Sequence, residues 1–281
     1  MTFFIHEITV HGVTVPLRAY IPDVAGRTSY AGKRPAILIF PGGGYGFTFS
    51  GEAEPIAMKY AADGICAFVL DYSCAPNRFP IPQLQAFAAL RWIREHAVEF
   101  GIRADNIATT GFSAGGHLCA CTGTLWNKEA FRPYFAEVGM DDVDVTMYRP
   151  DKLVLCYPVI KARSDFHHHG SFCNLLGDEI DNEALRTLLA TDEQVDAQTP
   201  PTFIWHTSED TGVPIRNSLD FATALATIGK PVEMHIYLHG GHGLCLGTHV
   251  TDDRPFSEPH EVSEWISKAI RFVYDEAIIG K

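Results

Sequence analysis

The chain has 281 residues, 46% of them hydrophobic, which is enough material for one large α/β domain or two small ones. Its 22 basic and 34 acidic residues give a net charge of −12. This acidic balance, without any run of lysine or arginine, argues against nucleic acid or an anionic membrane surface as a partner. No stretch approaches the roughly 18 consecutive apolar residues that a membrane-spanning helix needs, so no membrane partner is expected.

The first residues and the cysteines indicate a cellular compartment. Residues 1–7 lack the basic and the long apolar regions of a signal peptide, so none is expected. The seven cysteines form no C-x-x-C pair, and most of them stand in apolar surroundings, which is typical of reduced, buried thiols. We therefore expect a cytoplasmic protein.

Strand patterns alternate with helix patterns along the chain. Residues 3–20 alternate apolar and polar side chains around His11-Gly12, which predicts an antiparallel hairpin at a sheet edge. Apolar and β-leaning runs predict further strands at residues 35–40, 65–70, 106–109, 153–158, 202–207 and 232–238. Helices are predicted near residues 52–62, 81–100, 118–125, 183–189, 215–228 and 262–278. This alternation predicts an α/β fold with a mostly parallel central sheet flanked by helices on both faces.

Two segments, residues 126–150 and 161–200, interrupt the regular alternation. No internal repeat, linker or low-complexity tract accompanies them, so we expect one domain over residues 1–281. Open α/β sheets bind ligands at the carboxyl ends of their strands. We therefore expect the two segments to lie over those ends, as inserts or as a lid.

A serine between glycines, Gly111-Phe112-Ser113-Ala114-Gly115, stands between a predicted strand and a predicted helix. The pattern Gly-x-Ser-x-Gly in that position is typical of a nucleophile held on a sharp turn. Glycine is needed on both sides because a Cβ there would clash, and the helix N-terminus that follows favours developing negative charge. The alternative is a turn that merely caps a helix.

A serine hydroxyl needs a base to remove its proton, and the base needs an acid to fix its tautomer. In folds with this turn the chain order is serine, then Asp or Glu, then His. Glu209 and Asp210 follow one later predicted strand, and His239 and His242 follow the next. We assign Asp210 as the acid and His242 as the base, while Glu209 and His239 remain the alternatives.

Backbone amides are predicted to stabilise the oxyanion that forms when a serine attacks a carbonyl. One is the amide of Ala114, directly after the serine. The others are those of Gly43 and Gly44 in the glycine loop, residues 41–46, which follows a fully apolar strand. A phosphate-binding loop is the alternative, but the Gly-Lys-Ser/Thr ending and the G-x-G-x-x-G spacing are absent.

The run of histidines at residues 167–169 raises the question of a metal site. Three adjacent histidines cannot all point one way, and no matched Cys/His spacing accompanies them. We therefore predict no metal site; the run is expected to be a solvated loop, or to place one side chain in the pocket. His117 and His206 are treated as structural.

These motifs, in this order, resemble the α/β-hydrolase esterase/lipase superfamily. They are most similar to acetyl-xylan-esterase-like carbohydrate esterases of the hormone-sensitive-lipase-related branch. The matching stretches are Pro41-Gly-Gly-Gly-Tyr45, Asp71-Tyr72, Gly111-Phe-Ser-Ala-Gly-Gly-His117, Trp205-His-Thr-x-x-Asp210-x-x-Val-Pro214 and Gly241-His242-Gly243. The chain departs from the pattern in having Pro41, where many relatives have histidine.

The resemblance implies the α/β-hydrolase fold, a nucleophile at Ser113, an acid at Asp210 and a base at His242. It also implies an oxyanion hole from the glycine loop with Ala114, and no metal or organic cofactor. It leaves the oligomeric state open, with a homo-oligomer among the options.

The sequence therefore predicts a serine esterase that releases short acyl groups, acetyl first among them, from a small-molecule ester. Acetylated sugars or xylo-oligosaccharides are the candidate substrates. Tyr45, Phe112 and Trp126 are predicted to crowd the pocket and so to exclude long acyl chains. The alternatives are a serine peptidase of the prolyl-oligopeptidase type and a catalytically silent α/β hydrolase that acts as a ligand receptor.

Overall fold

The structure is a computed structural model that describes residues 1–23, 34–163, 165–251 and 260–278. The strands in these ranges are β1 (Thr2–Val10), β2 (Val13–Ile21), β3 (Arg34–Phe40), β4 (Cys66–Leu70), β5 (Ile102–Phe112), β6 (Lys152–Cys156), β7 (Thr202–Thr207) and β8 (Val232–Tyr237). The α-helices are α1 (Glu54–Ala62), α2 (Ile81–Glu95), α3 (Ala114–Thr124), α4 (Arg132–Glu137), α5 (His169–Leu176), α6 (Glu183–Leu189), α7 (Arg216–Thr227) and α8 (Trp265–Tyr274). None of the described helices is both long enough and apolar enough to cross a membrane.

The described strands form one sheet in the order β1-β2-β4-β3-β5-β6-β7-β8. β1 and β2 are an antiparallel hairpin at the edge, and β2 also pairs antiparallel with β4. Every pair from β4 onward to β8 is parallel. The predicted mostly parallel sheet with an antiparallel N-terminal hairpin is therefore confirmed.

The central strands are buried on both faces, which explains their almost uniformly apolar sequences. Successive side chains of a strand point to opposite faces, so Leu38 of β3 belongs to one core while Ile37 and Ile39 belong to the other. Residues of α2, α3 and α7 complete the first core, and residues of α1 and α8 complete the second. Helices cover both faces of the sheet, as predicted.

The helix predicted over residues 81–100 ends at Glu95, because the chain has to turn before β5 begins. Gly101 has a φ of 64°, and the amide of Ile102 donates to the carbonyl oxygen of Ala97 at 2.7 Å. This closed turn uses the glycine that ends the predicted helical pattern.

The two inserted segments contain more regular structure than predicted. Residues 126–150 contain α4, and residues 161–200 contain α5 as well as the predicted helix α6. Asn174 of α5 reaches the glycine loop, where its side-chain amide donates to the carbonyl oxygen of Gly44 at 2.9 Å. This contact places α5 beside the carboxyl ends of the strands.

The loops that follow β3, β5, β7 and β8 all leave the same edge of the sheet, because these strands are parallel. They carry the glycine loop, Ser113, Asp210 and His242 in that order. The topology alone therefore brings the candidate site residues to one rim.

Candidate active site

Ser113 lies on a tight turn between β5 and α3. Its φ of 54° and ψ of −117° are values that L-residues rarely adopt. A Cβ on Gly111 would lie 2.0 Å from the carbonyl oxygen of Gly115, and a Cβ on Gly115 would lie 2.1 Å from that of Phe40. Glycine is therefore required at both positions by the close packing of the turn, for the reason that the sequence pattern suggested.

The imidazole of His242 bridges the hydroxyl of Ser113 and the carboxylate of Asp210. Its Nε2 lies 2.7 Å from Ser113 Oγ, and its Nδ1 lies 2.7 Å from Asp210 Oδ2. A carboxylate only accepts hydrogen bonds, so Nδ1 carries the proton of the neutral ring and Nε2 accepts from the serine hydroxyl. The structure thus joins the three side chains predicted as nucleophile, base and acid in one chain of hydrogen bonds.

The carboxylate of Asp210 is buried among four nitrogen donors. Oδ1 accepts from the amides of Gly212 at 2.9 Å and Val213 at 2.8 Å, and Oδ2 accepts from His242 and from His206 Nε2 at 3.1 Å. Burial by itself would raise the pKa of Asp210, but the hydrogen bonds from His206 and His242 outweigh it and hold that pKa well below its usual range. The ionised carboxylate can therefore keep His242 in one tautomer.

His206 plays a more specific part than a general structural histidine. Its ring is fully buried, with Nε2 also 2.9 Å from the carbonyl oxygen of Val213 and Nδ1 2.8 Å from Ser218 Oγ. Because both neighbours of Nε2 are acceptors, that nitrogen carries the proton and Nδ1 accepts from the serine hydroxyl. His206 is therefore a fixed donor to Asp210, which the sequence analysis did not identify.

The two alternative site residues, Glu209 and His239, bind each other at the surface. His239 Nδ1 lies 3.2 Å from Glu209 Oε1, and the other oxygen of Glu209 accepts from the amide of Gly240 at 2.9 Å. Both side chains are more than half exposed. Across the described part of the chain neither one hydrogen-bonds Ser113, and their contacts instead support the loop that carries His242.

The three amides predicted for the oxyanion hole lie at the same rim as Ser113. Gly43 and Gly44 have φ values of 123° and 63°, which only glycine adopts readily, and the carbonyl of Gly43 accepts from the amide of Gly46 at 3.0 Å. Ala114 is the first residue of α3. Among the residues that the structure describes, no hydrogen-bond acceptor occupies the amides of Gly43, Gly44 or Ala114. They are therefore free to donate to a ligand.

Tyr45, predicted to line the pocket, is 1% exposed and connects the glycine loop to α3. Its hydroxyl lies 2.8 Å from His117 Nδ1, and His117 Nε2 donates to the carbonyl oxygen of Leu189 at 2.9 Å. Burial lowers the pKa of His117 to about 4, so its neutral ring carries one proton on Nε2 and accepts from Tyr45 on Nδ1. This chain of hydrogen bonds fixes the glycine loop against α3 and α6.

The other two aromatic side chains predicted for the pocket are also buried. Phe112 packs its ring against those of Tyr157 and Trp265, with centroid distances of 5.9 and 5.8 Å. Trp126 lies under the guanidinium of Arg149, whose central carbon is 5.7 Å from the ring centroid. Both rings contribute to the interior, and a role for them in substrate binding remains a prediction.

The histidine run at residues 167–169 leads into α5, of which His169 is the first residue. No group of three or more His, Cys, Asp or Glu side chains in the described ranges has the arrangement to hold a metal ion. His168 is half-buried, and its Nδ1 accepts from the amide of Ser171 at 3.3 Å and lies 2.7 Å from Ser171 Oγ. Burial lowers the pKa of His168, and the nearby charge of His242 lowers it further. The lowered pKa favours the neutral ring of His168, and its electrostatic interaction with His242 indicates that the two histidines are close together.

Glu52 is a member of the site that the sequence analysis missed. Its side chain is only 3% exposed. It stands a few residues after the glycine loop, where the sequence pattern predicts only the start of a helix. Oε2 accepts from the amide of Gly42 at 2.7 Å, and Oε1 accepts from the hydroxyl of Tyr157 at 2.6 Å. No sequence signal separates it from its exposed neighbour Glu54, because burial of one of two nearby acids depends on distant residues.

Comparison with known proteins identifies the family. A family model described as BD-FAE matches residues 23–225 of the chain. A solved structure described as an acetyl ester-xyloside bifunctional hydrolase, from Caldicellulosiruptor lactoaceticus, is 37% identical with a TM-score of 0.79. That match covers 95% of this chain and 90% of the other.

Two curated relatives are longer than this chain. Endo-1,4-beta-xylanase B of Butyrivibrio fibrisolvens is 34% identical over 221 residues, covering 76% of this chain and 33% of the xylanase. The acetylxylan esterase of Xylanibacter ruminicola is 30% identical over 217 residues, covering 76% of this chain and 42% of the esterase. The chain thus spans between a third and a half of the length of these relatives. The resemblance drawn from the motifs is confirmed: the chain belongs to the BD-FAE family and has the α/β-hydrolase fold.

Proposed function

We propose that this chain is a serine carboxylic-ester hydrolase in which Ser113 is the nucleophile, His242 the base and Asp210 the orienting acid. One observation carries the proposal: His242 makes a 2.7 Å contact with Ser113 Oγ through one nitrogen and a 2.7 Å contact with Asp210 through the other. Relatives named as esterases support the reaction class.

In the first half of the reaction, His242 Nε2 takes the proton of Ser113 as Oγ attacks the ester carbonyl. The carbonyl oxygen becomes an oxyanion, to which the unoccupied amides of Gly43, Gly44 and Ala114 donate. The position of Ala114 at the N-terminus of α3 adds the favourable end of the helix dipole. The ionised Asp210 stabilises the imidazolium that forms.

The tetrahedral intermediate collapses when the bond between the carbonyl carbon and the alcohol oxygen breaks. His242 gives its proton to that oxygen, the alcohol leaves, and the acyl group stays on Ser113 Oγ. A water molecule then attacks the acyl-enzyme with His242 again acting as base, which releases the carboxylic acid and restores the serine hydroxyl.

We further propose a short acyl group, acetate first, on a hydroxyl-rich alcohol such as a sugar. The names of two relatives, an acetylxylan esterase and an acetyl ester-xyloside bifunctional hydrolase, support the acyl group. The rim beside α5 supports a polar alcohol. Because Nδ1 of His168 accepts from Ser171, its Nε2 carries the proton, and no acceptor in the described residues uses that proton. It can therefore donate to a hydroxyl oxygen of the substrate.

The first test is labelling by a fluorophosphonate, which reacts with an activated serine. The wild type should be labelled at Ser113, and Ser113→Ala should lose both the label and acetate release, with activity reduced by about 10⁴-fold or more in a folded protein. Wild-type protein that is not labelled would favour a catalytically silent receptor instead.

The second test concerns the substrate. Turnover of p-nitrophenyl esters should fall as the acyl chain lengthens from two to eight carbons, and acetate should be released from acetylated xylo-oligosaccharides. Undiminished turnover of the C8 ester would refute the short-acyl proposal. Cleavage of proline-directed amides in place of esters would support the peptidase alternative.

A further inference from the structure

A buried carboxylate, that of Glu52, joins the two halves of the candidate active site. On one side, Oε2 accepts from the amide of Gly42 in the glycine loop at 2.7 Å. On the other side, Oε1 accepts from the hydroxyl of Tyr157 at 2.6 Å and lies 3.8 Å from Sγ of Cys245. Cys245 is three residues after His242, so Glu52 contacts both the loop of the oxyanion amides and the loop of the base.

The hydrogen-bond pattern favours the ionised form of Glu52. The Gly42 amide can only donate, so Oε2 is an acceptor. The oxygen of Tyr157 accepts from the amide of Cys245 at 3.1 Å, which leaves its own proton to be donated to Oε1. Burial raises the pKa of Glu52 above its usual value, and the hydrogen bonds from Tyr157 and Gly42 and the charge of His242 offset part of that rise. With one donor on each oxygen, these contacts stabilise the carboxylate form of the side chain.

Gly42 is packed between the carboxylate of Glu52 and the turn that holds Ser113. A Cβ built on Gly42 would lie 2.7 Å from Glu52 Oε2, 2.8 Å from the carbonyl oxygen of Phe112 and 3.1 Å from Cβ of Ser113. Gly42 is therefore enclosed between the carboxylate and the serine turn. Because Gly43 and Gly44 follow directly, the hydrogen bond from Gly42 to Glu52 contributes to the position of their amides relative to Ser113.

Tyr157 connects Glu52 to His242, because its hydroxyl bonds to the carboxylate and its ring contacts the imidazole. Its ring packs edge-on against that of His242, with a centroid distance of 5.1 Å. Its hydroxyl holds both Glu52 and the amide of Cys245. Movement of the carboxylate would therefore displace the ring against which the imidazole of His242 rests.

We propose that Glu52 is a positioning residue for ester hydrolysis. Its carboxylate holds the oxyanion amides and the His242 loop in register with Ser113, and its negative charge supports the imidazolium formed during attack. Among the described residues, the titratable groups that face His242 are Asp210, His168, Tyr157 and Glu52. Asp210 and Glu52 are the two carboxyl groups in this set. The inference rests on the proposed function.

The test compares Glu52→Gln with the control variant Glu54→Gln, which makes the same chemical change. Glu54 is an exposed residue at the start of α1. Glutamine fits the volume but has one accepting oxygen, so either Gly42 or Tyr157 loses its acceptor. With p-nitrophenyl acetate, kcat of Glu52→Gln should fall about 10- to 100-fold while KM stays within about two-fold. The control should match the wild type.

A pH profile separates positioning from simple loss of packing. Without the carboxylate the imidazolium loses a nearby anion, so the acidic half-activity point of kcat/KM should move to lower pH in Glu52→Gln. Either an unchanged kcat or an unshifted acidic limb in folded Glu52→Gln overturns the proposal while leaving the esterase assignment intact. A wild type that hydrolyses no ester overturns the proposed function, and this inference with it.

Tyr157→Phe keeps the test decisive if Glu52→Gln does not fold. It removes the hydroxyl that joins Glu52 to Cys245, but it retains the ring beside His242 and the hydrogen bond between the Gly42 amide and Glu52. Its kcat should fall about 3- to 10-fold at unchanged KM. Wild-type kcat in this variant would show that the contact does not position the site and would overturn the proposal.

Discussion

Replacing Asp210 by asparagine tests the proposed base most directly, because the structure specifies what the new amide would meet. The carboxylate accepts from two backbone amides on Oδ1 and from two histidine nitrogens on Oδ2. An asparagine side chain must turn its NH₂ group toward one of these donor pairs. If it faces His242, the imidazole proton moves to Nε2, which then donates to Ser113 and can no longer act as a base.

The expected loss follows from that tautomer. An imidazole fixed in the wrong tautomer removes general-base catalysis, so kcat of Asp210→Asn should fall by about 10³- to 10⁴-fold, or about 4 to 5.5 kcal/mol in activation free energy. If the NH₂ group faces the backbone instead, it displaces the turn at residues 210–213, and the loss should be of similar size.

The assay is the hydrolysis of p-nitrophenyl acetate by folded protein, with fluorophosphonate labelling of Ser113 as a second readout. Asp63→Asn is the matched control, since Asp63 is exposed and the hydrogen bonds found for it among the described residues are made by its backbone. Its amide donates to the carbonyl oxygen of Tyr60 at 3.1 Å, and its carbonyl oxygen accepts from the hydroxyl of Tyr274 at 2.7 Å. Folded Asp210→Asn that retains more than about a tenth of wild-type activity would refute the assignment of Asp210 as the orienting acid.

Three further outcomes are expected. His168→Ala should raise KM for an acetylated xyloside several-fold and leave KM for p-nitrophenyl acetate unchanged; equal effects on both would exclude contact with the alcohol. Gly43→Ala should lower kcat by about 100-fold or more, because its Cβ would lie 2.1 Å from the carbonyl oxygen of Phe47. The control is Gly229→Ala, whose Cβ meets nothing within 4 Å and whose kcat should match the wild type. Burial lowers the pKa of His117 to about 4, compared with 6.5 in the unfolded chain. Between these two pH values the unfolded state binds more protons than the folded state. The free energy of unfolding should therefore decrease as the pH falls from 6.5 to 4. Urea unfolding of the wild type and His117→Gln across that range checks this, and the variant should lose less stability on acidification.

Chain order and strand direction made most of the site predictable from the sequence. Ser113, Asp210 and His242 each follow a strand, and parallel strands end at the same edge, so the order of the motifs already implied that these side chains would meet. The glycines around Ser113 were predictable for a different reason, since a sharp turn against a strand leaves no room for a Cβ.

Side-chain direction beyond the strand ends was not predictable, because local alternation no longer applies there. Tyr45 is an example: its φ of 57° turns the side chain into the interior, where it bonds to His117. Trp126 lies just past the end of α3, and the guanidinium of Arg149, from the far end of the segment 126–150, lies over its buried ring. The sequence showed that bulky residues stand near the site, but not which way they point.

Glu52 shows most clearly what a local pattern cannot reveal. Three non-glycine residues in its vicinity have a positive φ: Ser113 at 54°, Tyr157 at 37° and Cys245 at 51°. Such conformations cost on the order of 1–3 kcal/mol each and persist only where neighbouring contacts leave no alternative. Glu52 contacts Tyr157 and Cys245 directly, across 105 and 193 residues of sequence, and holds Gly42 against Ser113. Because one carboxylate restrains three strained backbone positions that are far apart in the chain, its importance arises only from the folded arrangement.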